Sequence, residues 1–479
     1  MKKQYFITLI LSILIAFSSC SNKPEEKKTV ILHTNDVHAK IDNMDKLSAY
    51  KKEMEQKYDD VILLSAGDIF SGNPVVDVYK EKGYPMIDLM NKTGYQMSVP
   101  GNHEFDYGEK TLKERINDAE FPFICANIDT KNSVLDPFKP YQVVETNGVS
   151  LFFLGLIETW NNGLPSTHPE KVKGLTFSNP MDIVKNYIPE AKKHNLFIGL
   201  THLGYKTDKY LIEKYPQFDI VIGGHSHTLV KKPEKYKETL LTQAGDDLNF
   251  VGKVTITIKN KEITDIKAET INLKNYDKSD KQITALIKKY NNNEMLNEVI
   301  GKAAAPIKGK EELGALFTDA QCAVQNLDFS FQNNGGIRIS EIPKGKIRVK
   351  TIYELDPFGN ELIKMNMKPL EIKSLIRYGY EERSKSGLRI GGGTYTLYLD
   401  KNDNLQKIKI RDEEGNTLHP DSTYTVGLNS YITSSYDFKH RDKGQSLYVT
   451  TAENIIKYIK EQKTINYTGE KRTIIKNHK

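Results

Sequence analysis

The chain has 479 residues, 38% apolar and 27% charged, with 32 Gly and 18 Pro, a composition that excludes a collagen, a low-complexity tail and a multi-span membrane protein. At roughly 100 to 200 residues per domain the length implies two or three domains, each with its own core. The 68 basic and 62 acidic residues are dispersed along the chain, so no nucleic acid partner is expected.

Lys2 and Lys3 precede an apolar run over residues 5–17 that closes on Phe17-Ser18-Ser19-Cys20. The run is too short to cross a bilayer and has the size of a signal-peptide core. Small residues before a Cys resemble the lipobox of bacterial lipoproteins. That implies a signal peptide over 1–19, a lipidated Cys20 as membrane anchor, a tether over 20–28 and export to the cell envelope. Cys125 and Cys322 lie in different halves of the chain, which leaves no disulfide framework, and both read as small buried apolar residues.

From residue 29 to about 270 one grammar repeats: a short apolar run, a polar turn, an amphipathic stretch. The runs cover 30–33, 61–64, 95–99, 151–156, 196–200 and 219–222, the pattern of α/β units. Helical spacing links Leu47, Tyr50, Met54 and Tyr58, and again Ile183, Tyr187, Ile188 and Ala191. Residues 274–293 carry Ile283, Leu286 and Ile287 on one helical face and read as a connecting helix. Beyond it come a helix over 313–326, several β segments, a turn at 414–416 and a final helix near 452–462, which make an α+β half.

The chemistry sits where the first-half runs stop. Asp36 and His38 follow the first run, Asp68 the second, Asn102 and His103 the third; His202 follows the fifth, and His225 and His227 the last. In α/β sheets the carboxyl ends of the strands form the ligand crevice, because loops leaving them converge there. Imidazole suits Zn and similar ions, while carboxylates and an amide oxygen suit harder ones such as Mn or Mg. A mixed set of this size exceeds one tetrahedral shell and implies two divalent ions sharing a ligand. Two such ions form a clamp for in-line displacement at phosphorus. The remaining histidines, His168 among them, read as ordinary surface or core residues.

The strings Thr34-Asn-Asp-Val-His38, Gly67-Asp68, Gly101-Asn-His-Glu-Phe-Asp106, Thr201-His-Leu-Gly204 and Gly223-Gly-His-Ser-His227 resemble, in order and spacing, those of the calcineurin-like metallophosphatases of the 5′-nucleotidase branch. The resemblance implies an N-terminal α/β/β/α sandwich over 29–272, a linker helix over 273–298 and a smaller α+β substrate-binding domain over 299–479. It assigns Asp36, His38 and His227 to one metal, Asn102, His202 and His225 to the other, and Asp68 as the bridge. The cofactors would be two divalent ions, Zn, Mn or similar. His103 would pair with Asp106 as a dyad that stabilises phosphoryl charge or protonates the leaving oxygen, an effect of roughly 10²- to 10⁴-fold.

The likeness continues through Asn333-Asn-Gly-Gly-Ile-Arg338, Pro357-Phe-Gly-Asn360 and Ser430-Tyr431 with Asp437. By resemblance Phe358 and Tyr431 sandwich a base, Asp437 holds ribose hydroxyls, Arg338 holds phosphate, and Asn333 of the same loop is a further substrate-binding residue. Several positions depart from the family pattern: in Lys308-Gly-Lys-Glu-Glu-Leu-Gly-Ala315 Lys stands where the family carries arginine and Ala315 where it carries asparagine, and Ser435-Tyr436 stands where it carries a glycine pair. The implied activity is release of phosphate from nucleoside 5′-monophosphates by in-line attack of a metal-bound hydroxide. Cyclic nucleotides, nucleotide sugars or another phosphoester are the alternative substrates, and a non-catalytic nucleotide-binding surface lipoprotein is the third reading. No obligate protein partner is implied.

Overall fold

A computed structural model of the chain describes residues 26–477 other than 161, 162, 384 and 386. The signal segment and Cys20 lie outside the described residues.

Two sheets face each other in the first half. One runs in the order 262–272, 250–259, 26–34, 60–65, 97–98, and the other 234–236, 239–242, 220–222, 196–202, 149–157, 141–146. Strand alternation assigns each face its core. Ile31, Ile62, Leu64, Leu151, Phe153, Ile198 and Leu200 meet between the sheets. Val30, Leu32, Val61 and Leu63 point instead to helices Met44–Glu55 and Tyr84–Thr93. On the far side Phe152, Leu154 and Phe197 pack under helix Tyr205–Lys214. These four layers are the expected α/β/β/α sandwich. The strands Glu26–Thr34, Asp60–Ser65 and Met97–Ser98 are parallel neighbours, as are Val149–Ile157, Leu196–His202 and Ile220–Ile222, so their carboxyl ends open on one edge.

Several elements differ from the sequence reading. The first strand starts at Glu26, inside the expected tether. The run at 95–99 shortens to Met97–Ser98. The stripe from Ile183 to Ala191 is broken into Pro180–Ile183, a 3₁₀ turn and Ile188–Ala191, because Pro189 has no N–H to continue the helical ladder.

The connecting helix is Lys281–Asn291, capped by Asp280, whose carboxylate accepts the Gln282 N–H at 2.9 Å. It packs against the two helices of the first domain, burying Ile283 and Ile287, and Tyr290 Oη donates to Asp88 at 2.6 Å. It therefore belongs to the first domain's outer layer. Beyond it, a five-stranded sheet (389–391, 329–332, 424–429, 361–367, 445–450) and a three-stranded one (405–412, 393–399, 473–477) enclose Phe329, Phe331, Met365, Leu375 and Tyr395. Helices Gly309–Gln325 and Thr451–Gln462 match the two expected in this half.

Candidate metal centre and nucleotide pocket

Six side chains from three loops and one strand end meet at the sheet edge. Asp36, His38 and His227 form one group and Asp68, His202 and His225 a second, the ligand atoms of each lying within 4.8 Å of one another. Asp68 Oδ2 sits 3.1 Å from His202 Nε2 and 4.0 Å from His38 Nε2, between the two groups. Asn102 joins through its Oδ1, 2.9 Å from His225 Nδ1. All seven residues expected from the sequence are therefore brought together.

The donor chemistry fits cations. His38 Nδ1 donates to the Ser71 carbonyl at 3.1 Å and His202 Nδ1 to the Ala66 carbonyl at 2.7 Å, which leaves each Nε2 lone pair aimed inward, as metal-ligating imidazoles require. His38 Nε2 and His227 Nε2 face each other at 3.0 Å, and the fully buried His202 Nε2 makes no hydrogen bond. Burial and the nearby Arg338 charge hold His38 well below the usual imidazole range. Burial opposes charge on Asp68, yet the surrounding histidines outweigh it and hold Asp68 well below the usual carboxylate range. Two buried carboxylates among imidazoles thus demand positive charge here.

The loops are held in costly shapes. Asp36, His38, Asp68, His225 and His227 all have left-handed backbone, with φ of 50°, 49°, 54°, 77° and 54°. Each such residue costs on the order of 1–3 kcal/mol and persists only where its surroundings over-determine it, which is typical of functional sites. Gly224 explains one close approach, since a Cβ there would stand 2.8 Å from His202 Nδ1 and 2.5 Å from the Ala66 carbonyl oxygen.

Residues that the sequence reading passed over supply the over-determination. Glu104 is fully buried, and its carboxylate accepts the N–H groups of Asp68 at 2.9 Å and Ile69 at 2.7 Å, and also that of Gly101; burial pushes its pKa up to about 7. Asn35 donates to Asp36 at 2.6 Å, and Asp246 lies 3.2 Å from His227 Nδ1. Glu104 and Asn35 stand inside the matching strings, where their spacing was visible. Asp246 follows a different strand, and nothing local marks it.

His103 Nδ1 is 2.7 Å from Asp106 Oδ2, and Asp106 Oδ1 accepts the Thr167 hydroxyl at 3.3 Å. Burial works against a charged His103, but Asp106 and Asp68 outweigh it and raise its pKa above the ordinary value. This centre forms the floor of a cavity of about 530 Å³ whose far wall is Asn333, Arg338, Phe358 and Tyr431 of the second domain. Arg338 Nη2 reaches within 3.5 Å of His38 Nε2. Asn333 Oδ1 accepts the Asn429 amide at 3.0 Å, and Asn429 also caps helix Ser430–Ser435, which carries Tyr431.

Asp437 is the expected site residue that the fold leaves out. Tyr436 and Phe438 on either side are buried in the second domain's core, whereas Asp437 between them is exposed and is not among the residues lining the cavity. Lys310 also stays out of the lining and donates to the Ile337 carbonyl. His168, read from sequence as an ordinary residue, lines the cavity instead.

Residues 29–229 match the calcineurin-like phosphoesterase family, and residues 298–438 match the 5′-nucleotidase C-terminal domain. The chain belongs to the calcineurin-like phosphoesterases of 5′-nucleotidase type. An endonuclease of Bacillus subtilis (strain 168) is 27% identical over 92% of this chain, which spans only 40% of that protein's length. A 5′-nucleotidase of Vibrio vulnificus (strain CMCP6) is 25% identical, with 94% of each chain covered. Among solved structures, a 5′-nucleotidase precursor from Thermus thermophilus superposes with a TM-score of 0.80 at 24% identity, covering 94% of this phosphoesterase and all of that chain. That structural likeness establishes the shared two-domain fold.

Proposed function

We propose that the protein is a divalent-metal-dependent phosphohydrolase that releases phosphate from nucleoside 5′-monophosphates. The observation that carries this reading is one cavity with a carboxylate–imidazole cluster and the His103–Asp106 pair on its floor and Arg338, Phe358 and Tyr431 on its far wall. The matched 5′-nucleotidase C-terminal domain and the Vibrio relative support it.

In this reading residues 29–272 are the catalytic domain, 273–298 the linker and 299–479 the substrate domain. Asp36, His38 and His227 would hold one ion and Asn102, His202 and His225 the other, with the Asp68 carboxylate placed between the two groups as the shared ligand. When bound, such a pair polarises phosphoryl oxygens and makes water a competent nucleophile near neutral pH. The protein's own groups do the rest. Arg338 presents a planar fork to phosphate oxygens. Asp106 holds His103 by Nδ1, so that Nε2 carries the proton given to the leaving sugar oxygen. Phe358 and Tyr431 stack the base, and Asn333 fixes the loop that carries Arg338. An exported form anchored through lipidated Cys20 completes the proposal; it rests on the N-terminal sequence alone, and replacing Cys20 by Ser should move the protein from the membrane fraction to the soluble one.

The deciding experiment reconstitutes the purified chain with Zn or Mn and measures phosphate release from the four common nucleoside monophosphates beside a cyclic nucleotide and a nucleotide sugar. Failure on every monophosphate overturns the substrate assignment. Elemental analysis should find two ions per chain, and Asp68→Ala should lose both; an Asp68→Ala protein that keeps two ions overturns the bridging role.

A further inference from the structure

We propose that His168 is a specificity-determining residue whose Nε2–H donates to a sugar hydroxyl of the bound nucleoside, the role for which the fold leaves Asp437 unavailable. The inference rests on the nucleotidase reading and names a contact within that pocket.

The segment 165–172 belongs to the catalytic domain but forms a side wall of the cavity. It is tied to the reacting centre at two points: the Asn102 amide donates to the Ser166 carbonyl at 3.1 Å, and Thr167 donates to Asp106. His168 comes directly after, on the lining beside Ser430 and Tyr431.

Its tautomer is fixed by the backbone. His168 Nδ1 accepts the Glu170 N–H at 3.2 Å, so in the neutral ring the proton stands on Nε2. Burial and the charge of Lys171 favour that neutral ring. Nε2 lies 3.4 Å from Ser434 Oγ, and that hydroxyl already donates to the Ser430 carbonyl at 2.8 Å. The His168–Ser434 contact is long and the ring also bonds the Ser430 backbone, so a ligand oxygen at ordinary distance would compete with both for the ring proton. His168 lines the same cavity as Tyr431, so a sugar joining a base on Tyr431 to a phosphate over the floor would share that space with His168, and its hydroxyls are acceptors of the required kind.

The test compares adenosine with 2′,3′-dideoxyadenosine by calorimetric titration of the purified chain. Trp160, the only tryptophan of the sequence, donates its indole N–H to Ser166, so its emission reports whether the segment keeps its shape in each variant. One neutral hydrogen bond corresponds to a preference for adenosine of about fivefold. The wild-type chain should show it, and His168→Phe with native Trp160 emission should lose it. His168→Gln, which keeps a donor, should retain part of it, and Ser434→Ala should leave it intact. In steady-state assays His168→Phe should raise KM for a nucleoside monophosphate by more than it lowers kcat.

A preference that survives in His168→Phe overturns the proposal, as does its absence in the wild-type chain. Loss of the preference in Ser434→Ala as complete as in His168→Phe would also overturn it, since His168 would then act as a latch between the domains. A wild-type chain that binds no nucleoside and hydrolyses no nucleotide would bring down the nucleotidase reading itself, and this contact with it.

Discussion

His103 and Phe358 lie nearly parallel across the domain boundary, with ring centroids 5.7 Å apart and planes at 22°. A floor residue of one domain and a far-wall residue of the other thus meet across the cavity, and the Arg338 guanidinium carbon sits 5.7 Å from the same Phe358 ring. Stacking on an aromatic contributes roughly 1–3 kcal/mol per base, and it acts on ground and transition states alike. Phe358→Ala should therefore raise KM about tenfold while kcat falls less than about threefold. Steady-state kinetics on a nucleoside monophosphate checks this, and the reverse pattern would remove Phe358 from base binding.

His103→Asn should lower kcat by roughly 10²- to 10⁴-fold, the usual worth of a positioned proton donor. Because His103 is assigned no metal, elemental analysis of the variant should still find the wild-type ion content. A fall in bound metal matching the fall in rate would make His103 a ligand.

Glu104 touches no substrate in this reading, yet four backbone N–H groups of two loops, those of Asp68, Ile69, Phe70 and Gly101, end on its carboxylate. Each buried donor left unpaired costs about 1–3 kcal/mol, so Glu104→Ala should destabilise the protein by at least ~3 kcal/mol. The freed loop should also misplace Asp68, lowering ion content along with the denaturation midpoint. Normal metal content at normal stability would show that other contacts hold the loop.

Asp280 ties the connecting helix to the first domain by accepting Ser48 Oγ and Lys52 Nζ, each at 2.6 Å, as well as the Gln282 N–H. Burial opposes its charge, but these donors outweigh it and depress the pKa. A depressed carboxylate stabilises the fold above its ordinary pKa and loses that contribution as pH falls through the folded value. Asp280→Ala should cost about 1–2 kcal/mol at pH ~7, and the gap from wild type should narrow on acidification below pH ~4. Denaturant melts at both pH values test it; a constant gap would exclude a charge effect.

Much of the catalytic floor was legible in the sequence because it is written locally. Alternating apolar runs place strands, and the polar residues just after each run must emerge at the strand's carboxyl end. Asp36, Asp68, Asn102, His202, His225 and His227 could be placed together from that rule and their glycine neighbours. The other wall was less legible. Asn333, Arg338 and Phe358 stand on loops and Tyr431 on a short helix anchored by the second domain's strands, and the fold brings all four to the cavity. Asp437 follows Tyr431 on the same segment but stands exposed between the buried Tyr436 and Phe438, outside the lining.

The sequence by itself determined which side chains stand at the strand ends of the first domain, since periodicity and turn chemistry act within a few residues. Only the tertiary structure decided that Asp246 supports His227, that the connecting helix packs with the first domain, and that His168 rather than Asp437 borders the cavity. Those outcomes depend on which surfaces lose water against each other, a property of packed layers that neighbouring residues along the chain do not encode.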